Sequence, residues 1–267
     1  HYGKTPPCAE RIVQEEIAEV IICNIDPNPL VSGRGINILK NAGINVECGV
    51  LQEEGYELNA RFFTFHTKKR PYIILKWAQT SDGFIDGNFS MPIRISNDIS
   101  KTCVHKLRAE EDAIMVGKNT ALKDDPKLGC RRYEGKAPLR IAIDRNLEIP
   151  TYYNFYDNAQ PTVIFNSLKD DGVRVKINFK KDIIPQILDW LYENKIQSLI
   201  VEGGKYTLEQ FIERGLFDAI QVEIGGTPCY SGVPAPTFST ENLVCEVDKF
   251  CDSTFIHYKK VNARNPF

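Results

Sequence analysis

The sequence predicts an α/β fold, and three observations predict it. Short apolar runs of strand length alternate with apolar runs at helical spacing along most of the chain. That alternation is the signature of strand–helix–strand units around a parallel sheet. Glycines fall where strand-like runs end, at Gly117 and at Gly203-Gly204, where a chain turns from strand to helix. Residues 107–128, LRAEEDAIMVGKNTALKDDPKL, hold a whole unit. A helix-like run with Arg108 leads to a buried strand over residues 112–116 and a turn at Gly117. Asn119-Thr120 then caps a short helix that ends at Lys123-Asp124-Asp125-Pro126. Ligands in such sheets bind outside the carboxyl ends of strands, so residues 117–120 form a candidate site edge.

Composition narrows the function classes. The chain has 267 residues, 42% hydrophobic and 25% charged, an ordinary globular balance with room for one large or two smaller domains. A net charge of −2 gives no overall pull toward nucleic acid or an anionic membrane. No apolar run is long enough to span a bilayer. The 8 cysteines are scattered, several inside apolar runs at residues 20–23 and 46–48. This fits buried free thiols in a reducing compartment, hence the cytoplasm, better than a secreted disulfide framework. The chain starts at His1 rather than Met, which suggests a truncated or processed product.

Taken in order, residues 1–8 read HYGKTPPC. Pro6-Pro7 leads into a helix with Cys8 in its first turn, where the helix dipole favours thiolate. Such a thiolate serves as metal ligand or nucleophile; a structural cysteine is the alternative. Residues 9–18 read as helix and 19–25 as strand. Asp26-Pro27-Asn28-Pro29 is a turn. A helix over 33–42 closes at Gly43, and 44–48 is a strand. Leu58, Phe62 and Phe65 recur at helical spacing over 53–65, which predicts core packing. Lys68-Lys69-Arg70 has no interleaved aromatics and reads as a solvated linker.

The pattern restarts at Pro71. Residues 72–75 form a strand, and Lys76 either points into a cleft or covers a sheet edge. Residues 81–83 turn, with Asp82 at the centre, and the strand resumes over 84–86. Ser96 or Asn97 caps the helix that leads to Arg108. After the central unit, Arg131 and Arg132 offer guanidiniums suited to phosphate. Strands follow at 139–143, 162–165 and 173–177. An amphipathic helix over 183–192 puts Ile183, Ile187, Leu188 and Leu191 on one face. The strand 198–201 runs into Glu202-Gly203-Gly204-Lys205-Tyr206-Thr207. Two glycines there allow close backbone approach to a ligand. The N–H groups of the helix over 206–214 suit a phosphate, and Glu202 can accept from hydroxyls. Packing alone is the other reading of the glycine pair. Residues 218–224 and 253–258 are closing strands, with an irregular loop between them.

The first block resembles the second half of a zinc deaminase domain. HYGKTPPC followed by DPNPLVSGRG resembles the bifunctional riboflavin-biosynthesis deaminase–reductases. The resemblance implies that Cys8 is a zinc ligand. The family's other two ligands, a His in a His-Ala-Glu motif and an earlier Cys, lie upstream and are absent, as is the Glu that shuttles the proton. A catalytic zinc needs three protein ligands, so this chain should lack a deaminase activity that a full-length parent carries.

From Pro71 onward the chain resembles the reductase half of the same family, through LKWAQTSDG, ISNDISKTCVHKLRAEEDAIMVGKNTALKDDPKL, LRIAID and LIVEGGKYTLEQF. The implied architecture is an incomplete cytidine-deaminase-like αβα domain (residues 1–69) followed by a dihydrofolate-reductase-like α/β domain (residues 70–267). The implied reaction is NADPH-dependent reduction of 5-amino-6-(5-phosphoribosylamino)uracil at C1′, by a homodimer whose interface is formed by the 218–224 strand. Carried over by position, NADPH contacts fall on Ala78, Arg94, Thr120, Asp124 and Arg145, with Gly204, Lys205, Tyr206 and Thr207 at its phosphates. The ribose-phosphate substrate falls on Arg108, Leu128, Arg131 and Glu202, with both arginines at the phosphate. Lys76, Asp82 and Glu202 are the candidate proton donors. The chain departs from the family at Ser90-Met91-Pro92-Ile93-Arg94, where Pro92 replaces a hydroxyl and Arg94 an aromatic residue, and at Arg145, which replaces a small residue. The rival readings are a pterin reductase, a nucleic-acid-editing domain and an inactive subunit-pairing scaffold.

Overall fold

The computed structural model describes residues 7–28, 31, 33–87 and 93–261. His1 and the departure at Ser90-Met91-Pro92 lie outside the described residues. The chain divides into two compact units, residues 1–70 and 71–267.

The first unit contains α1 (Cys8–Gln14), β1 (Glu19–Ile22), α2 (Arg34–Asn41), β2 (Asn45–Cys48), α3 (Gln52–Leu58) and α4 (Ala60–Lys68). β1 and β2 pair in parallel as a two-stranded sheet. Two strands cannot bury much apolar surface, and this corrects two expectations. Cys23 and Cys48 are exposed thiols, although all eight cysteines are free as expected. The expected single helix over 53–65 is broken at Asn59, which caps α4. The break rotates Leu58 outward to 83% exposure, while Phe63 and Phe65 take the buried positions.

The second unit runs β3 (Tyr72–Gln79), β4 (Phe84–Gly87), α5 (Asp98–Glu110), β5 (Ala113–Gly117), α6 (Lys118–Asp124), β6 (Leu139–Ile143), β7 (Thr162–Asn166), β8 (Arg174–Lys176), α7 (Ile183–Glu193), β9 (Ser198–Val201), α8 (Lys205–Glu213), β10 (Ala219–Ile224), β11 (Gly232–Pro234), β12 (Leu243–Phe250) and β13 (Ser253–Lys260). Nine strands form one sheet in the order β12-β13-β10-β3-β9-β5-β6-β7-β8. From β10 to β8 every pairing is parallel. β13 and β12 add antiparallel strands at one edge. β4 and β11 pair separately.

Parallel strands are buried on both faces, so their sequences read as continuous apolar runs. On one face, Leu75, Met115 and Val201 pack with Ile187 and Leu191 of α7 and Phe211 of α8. On the other, Ile114, Val116, Ala142 and Ile200 pack with Leu128 and Phe155. Each fully buried side chain of this size contributes about 1.5–3 kcal/mol.

Two further expectations change. α6 is capped by Gly117, and Asn119 and Thr120 lie inside the helix. β11 falls in the loop expected between the closing strands; β12, outside the runs that read as strands, is exposed along most of its length, so it carries no buried periodicity. β10 is hydrogen-bonded to β13 and β3 on its two sides.

Candidate active site

Register builds the site. Leu75 of β3 pairs with Val201 of β9, and Val201 pairs with Met115 of β5. The next residues, Lys76 and Glu202, therefore fall side by side on one face. The Glu202 N–H donates to the Met115 carbonyl at 2.9 Å, which extends the ladder by one residue. The α5 helix brings Arg108 to the same point. Asn97 caps this helix by accepting from the Ser100 N–H at 2.8 Å. Lys76 Nζ lies 2.9 Å from Glu202 Oε1, and Arg108 Nη2 lies 2.5 Å from Glu202 Oε2. The three side chains keep only 7%, 13% and 15% of their surface for Lys76, Arg108 and Glu202. Burial pushes the Glu202 carboxyl up, but the Arg108 and Lys76 charges outweigh it and hold it down at about 2.

Arg108 also donates to the Gly129 carbonyl at 3.4 Å. That bond ties α5 to the loop carrying Arg131 and Arg132. Arg131 is exposed, and Arg132 sits 3.3 Å from Asp98. Leu128 is placed differently from its neighbours. Its side chain is in the core and its φ is 54°, so only its backbone can face a ligand.

His105 escaped the sequence reading. It lies one turn before Arg108 on α5, 4% exposed. Its Nδ1 has no hydrogen-bond partner among the described residues. The available signal was its i, i+3 spacing from Arg108. Burial first, then Arg108, Arg131 and Arg132, push its pKa down to about 4. As pH falls below 6.5, the unfolded chain takes up a proton that folded His105 refuses until about 4. Stability therefore falls with pH across that window. His257, also pushed down by burial, adds to the slope. Thermal midpoints against pH should fall less steeply between pH 6.5 and 4 for His105→Gln than for the parent. Parallel curves would show that His105 contributes nothing to the slope.

The β5–α6 and β9–α8 turns meet beside the ion cluster. Thr120 Oγ1 accepts from the Gly204 N–H at 3.0 Å. A Cβ at Gly117 would lie 2.6 Å from Thr207 Oγ1, and one at Gly203 would lie 2.9 Å from Thr207 Cβ. These glycines thus let the buried Thr207 seat the first turn of α8. The N–H groups of Lys205 and Tyr206 begin that turn and have no intrahelical acceptor. Tyr206 is exposed, and Lys205 lies 3.6 Å from Glu209.

The other positions share no hydrogen bond or ion pair with the cluster among the described residues. Ala78 is partly exposed on the Lys76 face of β3. Asp124 closes α6 and is pushed up by burial. Arg94 is exposed, 3.8 Å from Asp98. Arg145 stands 5.9 Å from the Phe179 ring. Asp82 is committed to its turn, accepting from Thr80 Oγ1 at 2.6 Å, the Cys229 N–H at 2.9 Å and the Tyr230 N–H at 2.7 Å. Those bonds, Thr80 foremost, hold its carboxyl below the usual range despite an opposing burial effect.

Cys8 is exposed at the start of α1. Among the described residues no three His, Cys, Asp or Glu side chains are grouped to hold a metal. The residues present do not fit a catalytic zinc, which takes three protein ligands. No described helix is long and apolar enough to cross a membrane.

The chain is similar to proteins of one family. Residues 71–240 match the family model described as the RibD C-terminal domain. The riboflavin biosynthesis protein RibD of Aquifex aeolicus is 42% identical over 234 residues, covering 84% of this chain and 65% of that protein. RibD of Synechocystis is 31% identical, covering 89% and 67%. The chain thus spans about 65% of the length of the Aquifex relative. A Thermotoga maritima structure described as a diaminohydroxyphosphoribosylaminopyrimidine deaminase/5-amino-6-(5-phosphoribosylamino)uracil reductase superimposes with a TM-score of 0.87 at 29% identity. It covers 98% of this chain and 76% of that one. The α/β fold expected of the second unit agrees with these matches. The chain belongs to the RibD C-terminal domain family.

Proposed function

We propose that this chain reduces 5-amino-6-(5-phosphoribosylamino)uracil with NADPH, as a step of riboflavin biosynthesis. The observation that carries the reading is the Lys76–Glu202–Arg108 cluster, where β9 ends beside the middle of β3, next to the loop that bears Arg131. A sugar phosphate asks for guanidiniums at its dianion and a carboxylate at its hydroxyls. Arg108 with Arg131 supplies the first, and Glu202 the second.

The first turn of α8, with Lys205, Tyr206 and Thr207, suits the phosphates of the dinucleotide. Thr120 holds the Gly204 turn in place for it. Ala78, Arg94, Asp124 and Arg145 complete the proposed contacts. NADPH, when bound, supplies the hydride.

C1′ receives the hydride once the ribose ring has opened to an imine, and the imine nitrogen takes up a proton. Glu202 and Asp82 are both held as carboxylates. Lys76 Nζ is then the donor left among the three candidates, positioned by its 2.9 Å bond to Glu202. The proposal extends to a homodimer in the cytoplasm. It also extends to a longer parent whose deaminase zinc takes Cys8 as one ligand.

The test is loss of NADPH absorbance with the phosphoribosylaminouracil as substrate and no added zinc. Turnover supports the reading. Failure to bind either compound overturns it. Arg131→Ala should remove charge-assisted bonds worth about 1.5–3 kcal/mol, raising the substrate KM by roughly ten- to a hundredfold. The NADPH dissociation constant should stay the same. Equal weakening of both ligands would refute Arg131 as a phosphate ligand.

A further inference from the structure

One fully buried charge has no part in the proposed chemistry. Arg140 interrupts the apolar run of β6 and is 1% exposed. Arginine is rarely buried this deeply unless it is paired. In register it lies between Ile114 of β5 and Thr162 of β7. Parallel neighbours in register share a face, so Arg140 enters the face that holds Ile114, Leu128 and Phe155.

All three guanidinium nitrogens are engaged there. Nε donates to Thr162 Oγ1 at 3.1 Å, Nη1 to the Lys127 carbonyl at 3.3 Å and Nη2 to Asp157 Oδ1 at 2.8 Å. The guanidinium carbon sits 5.2 Å from the centre of the Phe155 ring, within cation–π range. Two of the partners are themselves fixed. Asp157 Oδ1 also accepts from the Ala159 N–H at 2.9 Å, and Thr162 Oγ1 donates to the Gln160 carbonyl at 3.1 Å. The third partner, Lys127, leads into the loop that bears Arg131.

That loop begins with strain. Leu128 has a φ of 54°, in the left-handed region that side chains other than glycine occupy at a cost. Such a conformation persists only where the surroundings over-determine it. Here the Leu128 side chain is locked in the core. Arg140 grips the Lys127 carbonyl before it, and Arg108 grips the Gly129 carbonyl after it at 3.4 Å. A Cβ at Gly129 would lie 3.1 Å from Gln160 Oε1, so the anchored stretch before β7 also backs the loop. Beyond Gly129, the Tyr133 N–H donates to the Cys130 carbonyl at 2.9 Å. Cys130 Sγ donates to the Gly135 carbonyl at 3.3 Å. These bonds close a compact turn with Arg131 and Arg132 exposed on it.

We propose that Arg140 is a positioning residue. From within the core it holds Lys127, keeps Leu128 in its left-handed conformation, and so aims the Leu128 backbone and Arg131 at the substrate phosphate. This rests on the reductase reading and adds what fixes the phosphate-binding loop. Stability alone does not account for a guanidinium at this place, because apolar side chains of similar volume often replace a buried ion pair without loss.

The test measures substrate KM, kcat, NADPH dissociation and thermal midpoint for Arg140→Met and Arg140→Lys, each alone and combined with Arg131→Ala. Arg140→Met should raise the substrate KM by roughly tenfold or more, the scale of a binding group misplaced by about 1 Å. NADPH binding should stay the same and kcat should change far less than KM. Arg140→Lys keeps a charge for Asp157 but lacks the planar fork that reaches three partners, and should raise KM less. In the Arg131→Ala background Arg140→Met should add little, because the side chain it aims is gone. A group that only supports the core would instead multiply in full with Arg131→Ala and weaken NADPH binding alongside. Either of those results, or an unchanged KM in folded Arg140→Met, overturns the assignment and leaves the reductase reading standing. If Arg140→Met does not fold, Arg140→Lys decides by the same criteria. If the parent chain neither binds nor reduces the substrate, both readings fall together.

Discussion

Glu202→Gln is expected to abolish turnover and destabilise the second unit together. The substitution keeps the size of the side chain and removes its charge. Lys76 and Arg108, 7% and 13% exposed, are then left buried side by side with no carboxylate between them. Removing one member of a buried charge cluster costs about 3–5 kcal/mol, because the remaining charges stay desolvated. The same change frees Lys76 Nζ from its 2.9 Å anchor, so the proposed proton donor loses its position. Denaturant unfolding and the NADPH assay report the two effects separately. Acid adds a signature. The Glu202 carboxyl is held at about 2 against an ordinary 4.5. Its contribution is whole above pH 4.5 and is lost as pH falls through 4.5 toward 2. The Gln variant should lack that loss. A variant as stable as its parent would show that the cluster does not support the fold.

Gly117→Ala is expected to weaken NADPH binding, and Thr207→Ala is expected to restore it. Gly117 has φ −78°, a value open to any residue, so backbone strain is not the issue. The obstacle is contact, since the new Cβ would lie 2.6 Å from Thr207 Oγ1. Overpacking of this kind costs about 1–3 kcal/mol. Relief requires the first turn of α8 to move away from α6, which breaks the 3.0 Å bond from the Gly204 N–H to Thr120. If about 1.4 kcal/mol of this reaches the cofactor, affinity falls tenfold. Thr207→Ala deletes the offending oxygen and leaves its Cβ 3.9 Å away, an ordinary contact. A double-mutant cycle measures the coupling. Parent-like affinity in Gly117→Ala, or no recovery in the double variant, would refute this account of the turn.

Local chemistry made much of the second unit legible. Strands at 139–143 and 198–201 and the apolar face of α7 were readable because burial on both faces of a parallel sheet leaves long apolar runs. The glycines at 117 and 203–204 were readable as strand–helix turns. Their reason was not, because Thr207 is distant in sequence from Gly117. Asn97 was readable as a cap from its place before a helical run, whereas the cap expected at Asn119-Thr120 moved to Gly117.

What escaped is what depends on partners distant in the chain. Lys76 read equally well as a sheet-edge cover, until the pairing of Leu75 with Val201 set it beside Glu202. Asp82 read as a possible acid, but three donors from Thr80 and the 229–230 backbone hold it as a carboxylate. Leu58 and Cys48 read as core, and a two-stranded sheet left them outside.

The sequence alone determined the α/β class, most of the alternation of strands and helices and the motifs that place the chain in its family, because periodicity, turn residues and motif order are local properties of the chain. Only the tertiary structure decided which charges meet and which are buried. Those depend on strand register and on the approach of α5 to the sheet, where a shift of one residue would turn Lys76 and Glu202 to the opposite face.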